Sequence, residues 1–128
     1  MRLTSAATGL CVLLLTLPVL ADQFDDALAA AKANAKTSEG ANYDTTFGRA
    51  FAEKHAGTMV RCTQEVPVAG LANFDLLVNV DGAGVVDQVL VRPTTEVARC
   101  LQAAVQKDTY PEPPEPKYWV HVAMSITE

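Results

Sequence analysis

The second half of the chain shows the clearest alternation of hydrophobic and polar residues. In FDLLVNVD (74–81) every second residue is apolar and the intervening residues are polar, with Leu77 as the exception, which predicts a half-buried β-strand. VVDQVLV (85–91) is β-branched on both faces, which predicts a return strand in a central position of the sheet. DGAG (81–84) lies between them and is typical of a tight turn, so the sequence predicts a β-hairpin.

A helical pattern follows the hairpin. Pro93 ends the return strand, and Thr94 is suited to cap a helix over 95–107. In this helix the apolar residues recur at three- and four-residue spacing and form one stripe facing the sheet: Val97, Cys100, Leu101, Ala104 and Val105. Residues 118–126 then alternate again and predict a third strand.

Four of the chain's seven prolines lie between Pro111 and Pro116. Their spacing would suit a polyproline ligand. However, only ten residues separate Lys107, at the end of the predicted helix, from Tyr118, at the start of the last strand. We therefore expect a short extended crossover that stops the helix and delivers the last strand to the sheet.

Two helices are predicted ahead of the hairpin. Residues 22–36 begin with acids and end with lysines, as the helix dipole favours. TSEGAN (37–42) has the composition of a loop. Asp44 is suited to cap a second helix, and Gly57 to end it or loosen its last turn.

These elements predict an α+β domain over residues 43–128, preceded by an N-terminal helix and linker over 22–42. The order helix-β-β-α-β corresponds to one three-stranded antiparallel sheet with its helices packed as a single layer. A chain of 128 residues has room for one small domain of this kind.

The N-terminus has the pattern of a secretory signal peptide over residues 1–21. Arg2 provides a short positive region, an apolar run covers 10–20, and small residues at Val19 and Ala21 predict cleavage after Ala21. The run is about half of the roughly 20 residues that a spanning helix needs, so an uncleaved anchor is the less favoured alternative. We expect the mature chain to lie in the periplasm or to be secreted, without membrane insertion after cleavage.

Charge and cysteine content limit the partners and the kinds of site that this chain can have. Ten Lys and Arg stand against fifteen Asp and Glu, and the absence of basic clusters argues against nucleic-acid partners. Cleavage would leave Cys62 and Cys100, which an oxidising compartment favours as a disulfide; two buried free thiols are the alternative. No metal site or cofactor is predicted, since neither cysteine has a CxxC partner and only His55 and His121 are available.

No catalytic constellation is recognisable, and no catalytic residue is assigned. The sequence has neither GxSxG nor HExxH, and both histidines fit ordinary surface or half-buried positions. Trp119 with His121, and Tyr110 near them, are the candidate partner contacts, as an exposed aromatic patch. The alternative for Trp119 is packing against the prolines.

The hairpin sequence VNVDGAGVVDQVLV (78–91) resembles the TonB C-terminal-domain superfamily. In that family the return strand leads to a helix, a short FP-x-P segment and a last strand, which correspond here to 95–107, YPEPP (110–114) and 118–126. The chain is most similar to a two-cysteine periplasmic TonB-like branch, in which one cysteine ends the helix before the hairpin and the other lies in the helix after it. Cys62 and Cys100 occupy those places.

The resemblance covers about residues 47–127 and implies a small periplasmic binding or adaptor domain. TonB itself has an uncleaved anchor and a long Pro-rich spacer; neither is expected here, so the resemblance does not imply the energy-transducing role. Members of the superfamily often bind by adding a strand to a sheet edge, a role that the terminal strand 118–126 would suit.

The sequence thus predicts a non-enzymatic protein-interaction domain of the bacterial cell envelope. Its expected partner is an envelope protein whose identity the sequence does not give. The alternative is a small secreted hydrolase inhibitor or immunity-type protein, because such proteins often combine an acidic surface with one disulfide.

Overall fold

The computed structural model describes residues 9, 11–12 and 22–126. It contains α1 (Asp22–Ala35), α2 (Ser38–Thr63), a short 3-10 turn (Val68–Gly70), β1 (Phe74–Val80), β2 (Val86–Arg92), α3 (Glu96–Val105) and β3 (Tyr118–Met124). The predicted signal peptide falls outside the described residues except at 9 and 11–12. Within the described part of the chain, no helix is long and apolar enough to cross a bilayer.

The sheet has three antiparallel strands in the order β2-β1-β3, which confirms the predicted α+β class. β1 pairs with β3 in continuous register from Phe74 opposite Met124 to Val80 opposite Tyr118. The prediction that the return strand is central is wrong, because β3 comes back to pair with β1 and leaves β2 at an edge. On the second face of β2, Leu90 is apolar because it packs against the α1 cluster, whereas Gln88 and Arg92 on that face are polar.

Helices cover both faces of the sheet. On one face α2 and α3 enclose the main core, whose largest fully buried side chains on that face are Phe47, Leu76, Leu101, Val78, Val80, Val97 and Val105. On the other face, α1 packs Ala27 and Ala31 against Leu77, which is 0% exposed. The expectations of a half-buried β1 and of a single helix layer are therefore wrong, and Leu77 marks the strand's second buried face.

α2 is longer than the sequence predicts. Thr37, not Asp44, is its N-cap, and its Oγ1 accepts a hydrogen bond from the Gly40 N–H at 3.0 Å. The predicted loop over 37–42 is therefore mostly helix. Gly57 is exposed and does not end the helix, which runs on to Thr63 because its apolar side is buried for its whole length.

α1 and α2 meet in a tight corner that wraps around one edge of the sheet. Only Lys36 and Thr37 separate the two helices, although the helices lie on opposite faces. The corner sits against the first residues of β3: Asn34 Nδ2 donates to the Trp119 carbonyl at 3.2 Å, and Gly40 lies beside the Tyr118 hydroxyl. The start of β3 is thus covered.

A disulfide joins the last turn of α2 to α3. Cys62 and Cys100 are bonded, as predicted, with their Cα atoms 5.7 Å apart. The two cysteines are 38 residues apart in sequence, and closing a loop of that size in the unfolded chain is worth about 4 kcal/mol in the chain-entropy model. α3 itself begins at Glu96 behind Thr95, one residue after the predicted cap, with Thr95 Oγ1 accepting from the Ala98 N–H.

The proline-rich crossover is held at its start by hydrogen bonds and aromatic packing. The Tyr110 N–H donates to the Gly84 carbonyl at 2.7 Å, and the Tyr43 hydroxyl donates to the Pro111 carbonyl at 2.9 Å. The Tyr110 ring stacks on Phe47 with 4.1 Å between centroids. The start of the stretch is therefore packed against the domain, as a crossover would be, while most of residues 111–117 are exposed.

Substitution of Gly40 by alanine tests the corner. A Cβ at this position would overlap the Asn34 carbonyl and lie 2.7 Å from the Tyr118 hydroxyl, so α1 and α2 would have to separate. We expect Gly40→Ala to lower the free energy of unfolding by about 3 kcal/mol, in the range of overpacked sites. Urea denaturation measures it.

Gly48→Ala is the matched control on the same helix. Nothing lies within 4 Å of a Cβ at Gly48. It should therefore gain up to about 1 kcal/mol from alanine's better helix propensity. Equal effects of the two substitutions would contradict a close-packed corner.

Candidate functional site: the β3 edge and its groove

Among the residues that the structure describes, β3 lies at an edge of the sheet and has backbone groups that pair with no other strand. The Trp119 carbonyl bonds Asn34 of α1, so it points away from β1. In an antiparallel strand the N–H and C=O of one residue point to the same side, and the side alternates along the chain. The N–H and C=O groups of His121 and Ala123 therefore also point outward, beyond the part of β3 that the corner covers.

The opposite edge of the sheet is less accessible. On β2, the outward carbonyl of Val89 accepts a hydrogen bond from Gln102 Nε2 at 2.7 Å, and the Val86 N–H donates to the Asp108 carbonyl at 3.2 Å. Side-chain and crossover groups thus occupy β2 at two points. We define the open edge as the outward backbone groups of His121 and Ala123 on β3.

An apolar groove runs beside this open edge, between α2 and β3. Its volume is about 280 Å³, and it is lined by Phe51, Ala52, His55, Ala56, Met59, Val122 and Met124. The lining comes from α2 and β3 alone, which places the groove on the β3 side of the helical layer. We call it the α2–β3 groove.

His55 lines the groove with a ring whose two nitrogens are already engaged. Nε2 pairs with Asp108 Oδ2, and Nδ1 lies 3.1 Å from Thr58 Oγ1. The Tyr110 hydroxyl donates to the same Asp108 oxygen at 2.7 Å. His55 is 5% exposed, and the Asp108 side chain 13%. His55 therefore adds little polar character to the groove.

This buried network ties α2 to the crossover. Burial, and then the hydrogen bond to Asp108 and its charge, raise the pKa of Tyr110 well above its usual range, so its hydroxyl stays protonated as a donor. Hydroxyl, imidazole and carboxylate stand in the order of a proton relay in Thr58, His55 and Asp108. Thr58 is itself buried, however, so its hydroxyl has little access to a substrate. The arrangement is suited to holding the two segments together.

Of the three predicted contact residues, Tyr110 lies apart from Trp119 and His121, which share the other face of the sheet. Tyr110 is buried in the core on the α2 face of the sheet. Trp119 is half-buried on the opposite face and packs against the α1 cluster. His121 is half-buried on that second face, with Nε2 2.8 Å from Asp75 Oδ1, and its backbone forms part of the open edge.

Sequence reasoning missed the groove residues on α2. Ending that helix near Gly57 hid a signal that the sequence does carry. Phe51, His55, Thr58 and Cys62 follow at four-, three- and four-residue steps and form one buried stripe across Gly57. The small residues Ala52 and Ala56 that open the groove carry no comparable signal, because exposed alanines are common in any helix.

A second groove, of about 420 Å³, lies between the first half of α2 and the prolines. Tyr43 lines it with its hydroxyl bonded to Pro111. Burial, together with nearby negative charge, raises the pKa of Tyr43 to about 12. Among the residues that the structure describes, no group of three metal-ligating side chains occurs.

Comparison with known proteins gives no relative. No protein-family model, no curated protein and no solved structure matches the chain.

The two His–Asp pairs provide a matched test of the buried network. His55→Leu removes the imidazole from Asp108, leaves that largely buried carboxylate with the Tyr110 hydroxyl alone, and should lower the free energy of unfolding by about 3 kcal/mol. His121→Leu breaks a half-exposed pair and should cost less than about 1 kcal/mol. Chemical denaturation near neutral pH compares them, and similar losses would rule out a special role for the buried pair.

The raised pKa of Tyr43 predicts that the folded protein loses stability at alkaline pH. Its side chain ionises near pH 10 in the unfolded chain and near 12 in the folded one, so its contribution is complete below about pH 10 and is lost as the pH rises toward 12. Tyr43→Phe should cost about 1 kcal/mol at pH 7 through the lost bond to Pro111. The deficit should shrink above pH 10 in urea denaturation series, whereas parallel profiles would contradict the shifted pKa.

Proposed function

We propose that this chain is a non-enzymatic protein-interaction domain of the bacterial cell envelope. It binds an extended segment of a partner protein, which adds as a fourth strand along the open edge of β3. The observation that carries the proposal is the set of outward backbone groups at His121 and Ala123, beside a sheet whose other edge is engaged.

The disulfide supports the envelope location. Disulfides form and persist in oxidising compartments such as the periplasm and are rare in the cytosol. The Cys62–Cys100 disulfide links the two helices of the main core covalently. The first 21 residues have the pattern of a secretory signal. Both features favour a mature chain that works in the periplasm or outside the cell.

The resemblance to the TonB C-terminal-domain superfamily supports the same function. The order hairpin, helix, proline segment and edge strand is the one that the family pattern implies, and Cys62 and Cys100 have the positions of its two-cysteine branch. The proposal takes over strand addition from that family and not energy transduction.

Proline in place of Ala123 tests strand addition. It removes an outward N–H that makes no bond within the sheet, and an edge strand tolerates proline at such a position. Co-purification from envelope extract should recover the partner with wild type and lose it with Ala123→Pro. In the bound wild type, hydrogen exchange should show protection of the His121 and Ala123 amides.

Ala72→Pro is the control. Ala72 is an exposed alanine outside the strands, and Leu71 before it is already extended at φ −86° and ψ 109°, which a following proline requires. This variant should keep the partner. Retention by Ala123→Pro, with no protection of β3 amides, would refute binding at this edge.

A further inference from the structure

The α2–β3 groove lies where one side chain of an added strand would project. A strand paired with β3 through His121 and Ala123 places the side chains of its hydrogen-bonded residues on the α1 face. The ligand residue between them stands opposite Val122 and directs its side chain to the α2 face. Val122 and Met124 are the strand residues that line the groove.

We propose that the α2–β3 groove is a specificity pocket that selects one large apolar side chain, such as leucine, methionine or phenylalanine, in the bound segment of the partner. The inference rests on the proposed strand addition and adds to it the chemistry of the ligand. Backbone pairing alone would accept almost any extended sequence, so selectivity has to come from side-chain pockets.

The walls of the groove exclude polar ligands. The lining is apolar apart from His55, and both nitrogens of that ring are engaged by Asp108 and Thr58. A polar ligand side chain would lose its water without gaining a partner. An apolar side chain would exchange water for contacts with Phe51 and Met59 and be stabilised.

The rim and the flexible side chains set the size preference. Ala52 and Ala56 have small side chains on the α2 wall of the groove, so there is room for a branched or aromatic group to enter. Met59 and Met124 have adaptable thioether side chains that reshape around different apolar groups. We therefore expect leucine, methionine and phenylalanine to be accepted and small residues to bind more weakly.

A second copy of this chain does not fill the groove. When two β3 strands pair antiparallel through their open residues, His121 of one copy stands opposite Ala123 of the other, and Val122 stands opposite Val122. Val122 already lines the groove of its own copy, so its side chain is not free to enter a neighbour's groove. In a flexible segment of another protein, the side chains are not engaged in a core of their own and are free to enter the groove.

Selection of a random heptapeptide library displayed on phage against the full chain tests the proposal. The selected peptides should share one apolar position flanked by residues of free choice. In a synthetic copy of the best peptide, serine at that position should weaken binding roughly tenfold or more, as expected for a large buried apolar side chain. Hydrogen exchange of the His121 and Ala123 amides reports pairing separately.

Two filled-groove variants and a control locate the pocket. Ala56→Phe and Ala52→Phe place a ring in the groove from exposed positions and should abolish the apolar preference. Ala41→Phe changes an exposed alanine of the same helix outside the groove and should leave it intact. Thermal denaturation verifies that all three variants are folded.

The outcomes separate the pocket from strand addition. Peptides that protect the β3 amides without any apolar preference overturn the pocket and leave strand addition standing. Failure of every selected peptide to protect those amides overturns both. Self-association through β3 that excludes the peptides identifies a second copy as the occupant and also overturns the pocket.

Discussion

Both faces of the central strand β1 are packed against helices, with only Asp75 partly exposed, and much of the domain's organisation follows from that. Leu76 and Val78 point into the core under α2 and α3, and Leu77 points into the cluster under α1. Both faces must therefore be covered, and α1 and α2, which cover opposite faces, are consecutive in sequence. With two residues between them, α1 and α2 can reach opposite faces only by turning around a sheet edge. The edge they turn around is the start of β3, and Gly40 lets the two helices approach each other there.

At the end of α2 away from the corner, two different interactions hold the helix to the rest of the fold. The disulfide between Cys62 and Cys100 joins α2 and α3, so the helices over the main core are linked covalently. The buried side chains of His55, Asp108 and Tyr110 then join α2 to the chain that leaves α3. The disulfide lowers the conformational entropy of the unfolded chain. The polar network instead specifies where the crossover lies in the folded chain. Together they fix α2 above β3 and so keep the groove between them open.

The sequence predicts those elements whose pattern is local. The hairpin, α3, β3 and the disulfide follow from alternation, helical spacing and cysteine content within short windows. The α1–α2 corner does not, because TSEGAN has the composition of a loop, while its helical state depends on the cap at Thr37 and on packing against Tyr118, far away in sequence. The order of the strands is likewise decided by where β3 pairs. The sequence predicts β3 as an edge strand. It does not predict the α2–β3 groove, because the groove requires α2 to continue past Gly57.

Within the described part of the chain, the open edge differs from the rest of the sheet because no side chain or loop covers its backbone groups. Proteins usually shield edge strands with lysine, proline, bulges or a covering segment, because unpaired backbone groups invite pairing with other chains. Here the corner shields Tyr118 and Trp119, and Gln102 and the crossover shield β2. From Trp119 to Ser125 the sequence contains no lysine and no proline. Among the described residues, the stretch at His121 and Ala123 therefore differs from the shielded parts of both edges, and it is the stretch along which the proposed partner strand would pair.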